Sequence, residues 1–206
     1  MDDRWFRLGD HGRYASFGSL MIVYEIRGLV NEYQGLLPYN DNVWDKGLLD
    51  FDGSEKTEGW RPLKMKLDNA KGKKPDIFFA SGLVVIPSWR SEILKPILTR
   101  SGEFLPVHWK KETGFLYNLT RRGDFINKSD SSWHEDEDGP FMIDKPAFRK
   151  QKIPKTVLFS TNEVPEMFGV GDAANSPIAK LKKLGLKGVS YLPIWDSKQG
   201  LLEYDS

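Results

Sequence analysis

The chain has 206 residues, of which 39% are hydrophobic, and its 30 basic and 29 acidic side chains leave a formal net charge of +1. A chain of this length buries a substantial core, so we expect one domain, or one domain with a small appendage. The near-zero charge provides no global field that would attract nucleic acid or an anionic membrane. The absence of cysteine excludes disulfide bonds, thiolate zinc sites and cysteine nucleophiles. It fits either the reducing cytoplasm, which is the simpler interpretation, or an exported protein without disulfide bonds.

The start of the chain, MDDRWFRLGDHGRY, is polar and acidic, whereas a secretory leader begins with basic residues followed by an apolar run. The apolar runs elsewhere are far shorter than the about 18 residues that a membrane-spanning helix requires. The sequence therefore predicts a soluble, cytoplasmic protein that does not bind a membrane.

The first strand signal is LMIVYEIR at 20–27, which is rich in branched and aromatic residues and lies between two glycines. Residues 31–74 show no sustained hydrophobic periodicity. Within them, the lysines, glycine and asparagine of 68–74 indicate an exposed connector. We therefore place a soft boundary at residue 74. Residues 1–74 are predicted to be an irregular or β-rich part packed on the same core, and 75–206 to be the main α+β domain.

Two short apolar runs, DIFF and LVVI, surround a Ser-Gly break and predict buried strands. A helix is predicted to begin at Pro87 or Ser88 and to end or kink at Pro96, because a proline inside a helix removes a hydrogen bond. The apolar residues spaced four apart on one face of this helix are Trp89, Ile93 and Ile97.

The second half of the chain predicts more strands than helices. Residues 104–109 and 115–119 are predicted to form a hairpin across KKETG, and FMID and KTVLFS are predicted to be two strands with a loop between them. A short amphipathic helix follows, with Asn175 or Ser176 as its cap, Pro177 in its first turn and Gly185 at its end, and VSYLPIW is a final strand. This order predicts an α+β fold with a mixed or mainly antiparallel sheet and a few short helices.

The sequence contains little that resembles a reactive centre. Its three histidines, His11, His108 and His134, lie in different kinds of segment, and none has a second histidine at metal-ligand spacing. His108 is predicted to be a half-buried strand residue. No Gly-x-Ser-x-Gly nucleophile motif occurs, and 29 acidic residues offer too many carboxylate pairs to single one out. We therefore expect a protein that is not an enzyme and that uses no metal and no cofactor.

Aromatic residues in polar surroundings suggest contact with another protein. Trp133 lies beside an acidic run, and this pairing of an aromatic anchor with a charged rim is typical of electrostatically steered interfaces. The alternatives are a tryptophan folded back onto the domain and a solvated acidic turn. The candidate partner-binding residues are Asp130, Trp133, His134, Glu135, Asp136, Glu137 and Asp138, with Trp44 and Trp60 as a second region.

A resemblance to a known family rests on four segments: PDIFFASGLVVIPSWRSEIL, EFLPVHWKKETGFLYNLTRRGDFIN, FMIDKPAFRKQKIPKTVLFSTNEVPEMF and LKKLGLKGVSYLPIW. Their order resembles the eleventh family of bacterial immunity proteins from polymorphic toxin systems, formerly a domain of unknown function. The resemblance covers roughly residues 75–196, and the positions that match the family's pattern are Asp76, Ile77, Pro106, Val107, 116–119, Asp124 and 147–149.

The resemblance implies a cytoplasmic protein of bacterial competition that binds and neutralises a cognate toxin by stoichiometric contact. Two other functions stay open, and the oligomeric state is open too. A nucleic-acid-binding module would need the lysines around 64–74, 149–155 and 180–187 to share one face. A hydrolase of sugars or phosphoesters would need carboxylates or His134 to converge in a pocket.

Overall fold

The computed structural model describes residues 20–137, 139–171 and 173–203, without the side chains of residues 136, 140 and 141. Within these ranges the strands are β1 (Ile22–Gly28), β2 (Gly35–Pro38), β3 (Leu63–Asp68), β4 (Phe78–Ala80), β5 (Leu83–Pro87), β6 (Gly102–Trp109), β7 (Glu112–Leu119), β8 (Arg122–Gly123), β9 (Ser132–Asp136), β10 (Gly139–Lys145), β11 (Ser160–Thr161), β12 (Met167–Val170), β13 (Val189–Asp196) and β14 (Gly200–Leu201). The helices are α1 (Asn42–Asp45), α2 (Ser88–Leu98) and α3 (Pro177–Lys183). This composition confirms the predicted α+β class.

The larger sheet has six strands in the order β2-β3-β6-β7-β5-β4, and its pairs are antiparallel except for β3 with β6. The sheet is curled, so its two edge strands, β2 and β4, lie close together. The close approach is seen at Gly35 of β2, where a Cβ would lie 2.7 Å from the Phe79 carbonyl oxygen of β4. The result is a small barrel. Its interior is apolar and consists of Leu36, Leu49, Met65, Phe78, Leu83, Val85, Leu105, Val107, Trp109 and Leu116.

The smaller sheet has four antiparallel strands in the order β12-β1-β13-β14. Its second strand, β1, pairs with β12 and β13, which come from the far end of the chain. One side of this sheet packs on a cluster of aromatic residues that includes Phe148, Phe159, Phe168 and Trp195. Since β1, β2 and β3 pair with later strands, both sheets contain segments from each side of residue 74.

Helices α2 and α3 fill the space between the two sheets through a central cluster that contains Leu94, Leu98, Tyr117, Ile178 and Leu181. A buried carboxylate joins these elements as well. Asp76, just before β4, accepts hydrogen bonds from the Arg90 guanidinium of α2 at 2.8 and 3.1 Å and from the Lys187 backbone N–H at 2.8 Å.

Several predicted elements are confirmed. The strand predicted at 20–27 is β1, and VSYLPIW lies in β13. The last helix is α3, whose Ser176 cap accepts a hydrogen bond from the Ala179 backbone N–H at 3.1 Å and whose end is followed by Gly185 at a φ of +56°. The helix cap at Ser176 and the terminating glycine at Gly185 are local signals that can be recognised directly in the sequence.

Helix α2 begins at Ser88 as predicted and extends two residues beyond Pro96, to Leu98, because a proline in the last turn removes a single hydrogen bond. Its buried residues are Ser91, Leu94 and Leu98, whereas Trp89 and Ile93 are 49% and 47% exposed. Ile97 is partly buried and packs against the central cluster. The apolar face at 89/93/97 is therefore exposed at its first two residues and partly covered at its last.

The connection between β6 and β7 is also shorter than predicted. Strand β7 already begins at Glu112, and the turn uses Lys110 at a φ of +49°. Gly114 is therefore part of the strand, where a Cβ would lie 2.6 Å from the Ile86 carbonyl oxygen of β5. The predicted strand in KTVLFS is reduced to the two residues of β11, with an isolated bridge from Phe159 to Phe168 before it.

Candidate protein-binding surfaces and a cleft between the sheets

The first candidate region forms the β9–β10 hairpin, in which Trp133 lies opposite Ile143 and His134 lies opposite Met142. Trp133 is half-buried, and its indole N–H donates a hydrogen bond to the Lys128 carbonyl oxygen at 3.1 Å. Ile143 packs against the aromatic cluster of the small sheet. The tryptophan therefore folds back onto the domain, and among the hairpin side chains that the structure describes Met142 is an exposed apolar one, at 51%.

The acidic residues of this region are spread along the hairpin and the turn before it. Glu135 and Glu137 are exposed. The Nε2 atom of His134 lies 3.3 Å from Oδ1 of Asp144, and Asp130 accepts a hydrogen bond from the Asn127 amide at 2.5 Å in the preceding turn. The side chain of Asp136 and the whole of Asp138 lie outside the described parts of the chain. His134 thus has a carboxylate as its neighbour, and Met142 lies opposite His134 on the paired strand.

The second candidate region, Trp44 and Trp60, is only partly exposed. Trp60 packs against the barrel core, and its indole N–H donates a hydrogen bond to the Pro106 carbonyl oxygen at 3.0 Å. Trp44 lies in α1 and is 37% exposed, next to Val43, which also packs against the barrel. Trp60 therefore helps to build the fold, and Trp44 keeps an accessible edge.

A surface that the sequence prediction missed is the outward face of α2. Trp89 and Ile93 are exposed one turn apart, and the cationic groups of Arg90 and Lys74 lie 5.0 and 5.7 Å from the centre of the Trp89 ring. The sequence of this helix contains two apolar stripes, at 89/93/97 and at 94/98. Since a helix packed on one side can bury only one of them fully, this pattern indicates that part of the other is exposed.

The histidines do not gather with other ligands. The described ranges contain no group of three or more histidine, aspartate and glutamate side chains arranged to hold a metal ion. His108 lies in β6 as predicted, but its side chain is exposed on the outside of the barrel instead of half-buried. His11 falls outside the described residues.

Several of the basic residues that a nucleic-acid-binding function would require contact acidic or aromatic side chains nearby. Lys74 pairs with Glu112 at 3.0 Å, Arg149 and Lys152 both pair with Asp124 at 2.5 and 3.0 Å, and Lys182 lies 3.5 Å from the centre of the Tyr24 ring. Three separate elements of the fold carry these residues.

A cleft of about 350 Å³ lies between β1 of the small sheet and the β4–β5 hairpin of the barrel. Glu25 and Arg27 of β1 line it together with Glu166, which precedes β12. The Arg27 guanidinium donates to both Glu25 carboxylate oxygens, at 2.5 and 2.8 Å. Displacement of water around Glu166 raises the pKa of its carboxyl group, and repulsion by Glu25 adds to this effect.

This cleft is the place where carboxylates come closest to the convergence that the hydrolase alternative needs. A glycosidase requires one carboxyl group as acid and a second as base or nucleophile. Both oxygens of Glu25 are already engaged by Arg27, so the cleft presents Glu166 without a matching second carboxylate.

No model of a known protein family matches the chain, and no curated protein matches it. Among the described residues, no helix is long and apolar enough to cross a membrane.

Proposed function

We propose that this protein is an immunity protein that binds a cognate bacterial toxin and neutralises it by stoichiometric contact in the cytoplasm. The biological context comes from the resemblance of residues 75–196 to an immunity-protein family. The observation that carries the proposal is the β9–β10 hairpin and the turn that joins its strands, which expose an apolar side chain, Met142, and two acidic ones, Glu135 and Glu137.

The hairpin suits a basic partner surface. An exposed methionine adapts its shape to an apolar hollow, while Glu135 and Glu137 supply a negative field that steers a positively charged partner during encounter. Two half-buried side chains of the same hairpin hold it in place: Ile143 packs against the aromatic cluster, and Trp133 donates its hydrogen bond to the Lys128 carbonyl oxygen. The contact residues are therefore presented on a supported element.

The exposed face of α2 supports a second contact. Trp89 and Ile93 form its apolar centre, with Arg90 and Lys74 beside the indole ring. Both cations are already paired, Arg90 with Asp76 and Lys74 with Glu112, so this face offers apolar and aromatic contact rather than net positive charge. Tryptophan and arginine are the residue types that contribute most binding energy at protein interfaces.

The experiment uses the toxin encoded beside this protein, purified as an inactive variant, and measures association by stopped flow at low and high salt. Replacing Glu135 and Glu137 by lysine should slow association at low salt by about tenfold and leave the high-salt rate nearly unchanged. The matched control is Glu55→Lys with Glu58→Lys, which makes the same change of charge in the Trp44–Trp60 region.

Association rates that are equal for both double variants would remove the hairpin from the proposal, and a slower rate for the control alone would assign contact to the second region. If no complex forms, the toxin proposal fails. Salt-dependent binding to RNA or DNA would then favour the nucleic-acid alternative. Turnover of a chromogenic glycoside or phosphoester that is lost on Glu166→Gln would favour the hydrolase.

A further inference from the structure

The cleft between β1 and the β4–β5 hairpin has the size and lining of a small-molecule site. Its volume of about 350 Å³ lies within the roughly 300–1,000 Å³ of known ligand pockets. It is formed where the two sheets meet, and positive φ angles at Ser81 and Gly82 set the tight turn at the tip of one wall. Strands β1, β4, β5 and β7 supply much of the lining, so the sheets set the position of its two walls, while Glu166 comes from the segment just before β12.

The floor of the cleft is apolar. Phe79, Val84, Leu119 and Met167 line it and are only partly buried, and they pack on the central cluster between the sheets. A separate cavity of about 20 Å³ lies beneath and shares Phe79, Val84 and Met167 with the cleft. Because Phe79, Val84 and Met167 border both the cleft and this cavity, they can change position at a small cost in packing energy when an apolar group binds.

The polar wall carries an excess of negative charge. Glu25 is 7% exposed and forms a two-pronged pair with Arg27. Glu166 stands at the mouth of the same cleft, and within the described parts of the chain no ion pair engages it. Displacement of water and repulsion by Glu25 raise the pKa of this carboxyl group, and the nearby Arg27 only partly offsets them. A cation that entered the cleft would neutralise this charge.

We propose that the cleft binds a small organic cation, a primary amine or guanidinium carried on an apolar body, with the cationic group at Glu166 and the body on the floor formed by Phe79, Val84 and Met167. The Glu25–Arg27 pair serves as a fixed wall that orients the cation towards Glu166. This inference is independent of toxin binding, because the hairpin and the outer face of α2 do not line the cleft.

The test uses 2-phenylethylamine as the probe and 3-phenylpropionate, which carries a carboxylate on a similar body, as its counterpart. Isothermal titration should give saturable binding of the amine and no saturation by the carboxylate up to about 10 mM. Amide chemical-shift changes in a ¹⁵N spectrum should concentrate at residues 80–84 and at Gly28 and Met167.

Variants at the mouth of the cleft sharpen the result, since an exposed position there tolerates substitution. Glu166→Gln should weaken amine binding about tenfold, Glu166→Lys should transfer the preference to 3-phenylpropionate, and Glu58→Gln, which lies away from the cleft, should bind the amine as the unaltered protein does. Absence of saturation by the amine, equal binding of both probes, unchanged affinity in Glu166→Gln, or shifts that map elsewhere would each overturn the proposal.

Discussion

Glu103 closes one end of the barrel, and replacing it by glutamine tests how much that closure contributes. Its carboxylate accepts hydrogen bonds from the Lys56 backbone N–H at 2.6 Å, the Thr57 backbone N–H at 3.0 Å, the Thr57 hydroxyl and the Asn118 side-chain amide at 2.7 Å. These bonds hold the loop before β3 on strands β6 and β7. No other side chain of the described barrel gathers as many donors on one carboxylate.

The pKa of Glu103 reflects this arrangement. Partial burial raises it, but the hydrogen bonds from Thr57, Asn118 and Lys56 outweigh burial and lower the pKa below its ordinary value. Glutamine has the same shape but carries no charge. Its NH2 group is a donor and would face the groups that donate to Glu103, so it cannot accept their hydrogen bonds. Hydrogen bonds to a charged group contribute about 1.5–3 kcal/mol each, and partial solvent access reduces this, so we expect Glu103→Gln to lower the free energy of unfolding by about 2 kcal/mol at neutral pH.

The assay is urea unfolding followed by tryptophan fluorescence across a pH series. Because the carboxyl group has a lower pKa in the folded protein, its contribution is present above the unfolded pKa of about 4.3 and disappears as the pH falls through the folded value. The difference between the two proteins should therefore shrink towards zero in acid. A difference that stays constant down to about pH 3, or one no larger than that of the exposed Glu58→Gln control, would refute this reasoning.

Two further comparisons test the core. Tyr117→Phe removes a buried hydroxyl that donates to the Leu98 carbonyl oxygen at 3.0 Å and should destabilise by about 1–2 kcal/mol. Tyr191→Phe removes a buried hydroxyl for which the described residues supply no hydrogen-bond partner, and it should be neutral or slightly stabilising in the same urea assay. In spectrophotometric titration Tyr191 should ionise late, since burial raises its pKa to about 12. On α2, Leu94→Ala should lower the free energy of unfolding by about 2–5 kcal/mol and Trp89→Ala by under about 1 kcal/mol. The reverse order in thermal or urea unfolding would mean that Trp89, and not Leu94, packs in the core.

The elements that the sequence predicted correctly are those governed by local signals. Helix α3 carries its own cap at Ser176 and its own end at Gly185, so its boundaries follow from residues within it. Strand β1 is short, apolar and bounded by glycine, and no helical period competes with its pattern.

The predictions that failed concern features that depend on residues far apart in the sequence. Both stripes of α2 are apolar, and the choice of the buried one depends on Tyr117 and Ile178, which meet the helix only in the folded chain. Trp60 is held by the carbonyl oxygen of Pro106, a partner that no local pattern identifies. The cleft joins Glu25 near the start of the chain to Glu166 near its end, and a sequence without an alignment gives no reason to pair them.

The position of β1 inside the small sheet has a consequence for synthesis. Its two hydrogen-bonding neighbours, β12 and β13, lie far along the chain, so a nascent chain carries β1 with both edges unpaired until those strands have been synthesised. Long-range pairing of this kind folds slowly and exposes the intermediate to aggregation. A fragment that starts at residue 30 would lack only β1 among the described strands, and an added peptide of sequence IVYEIRG could take its place between β12 and β13.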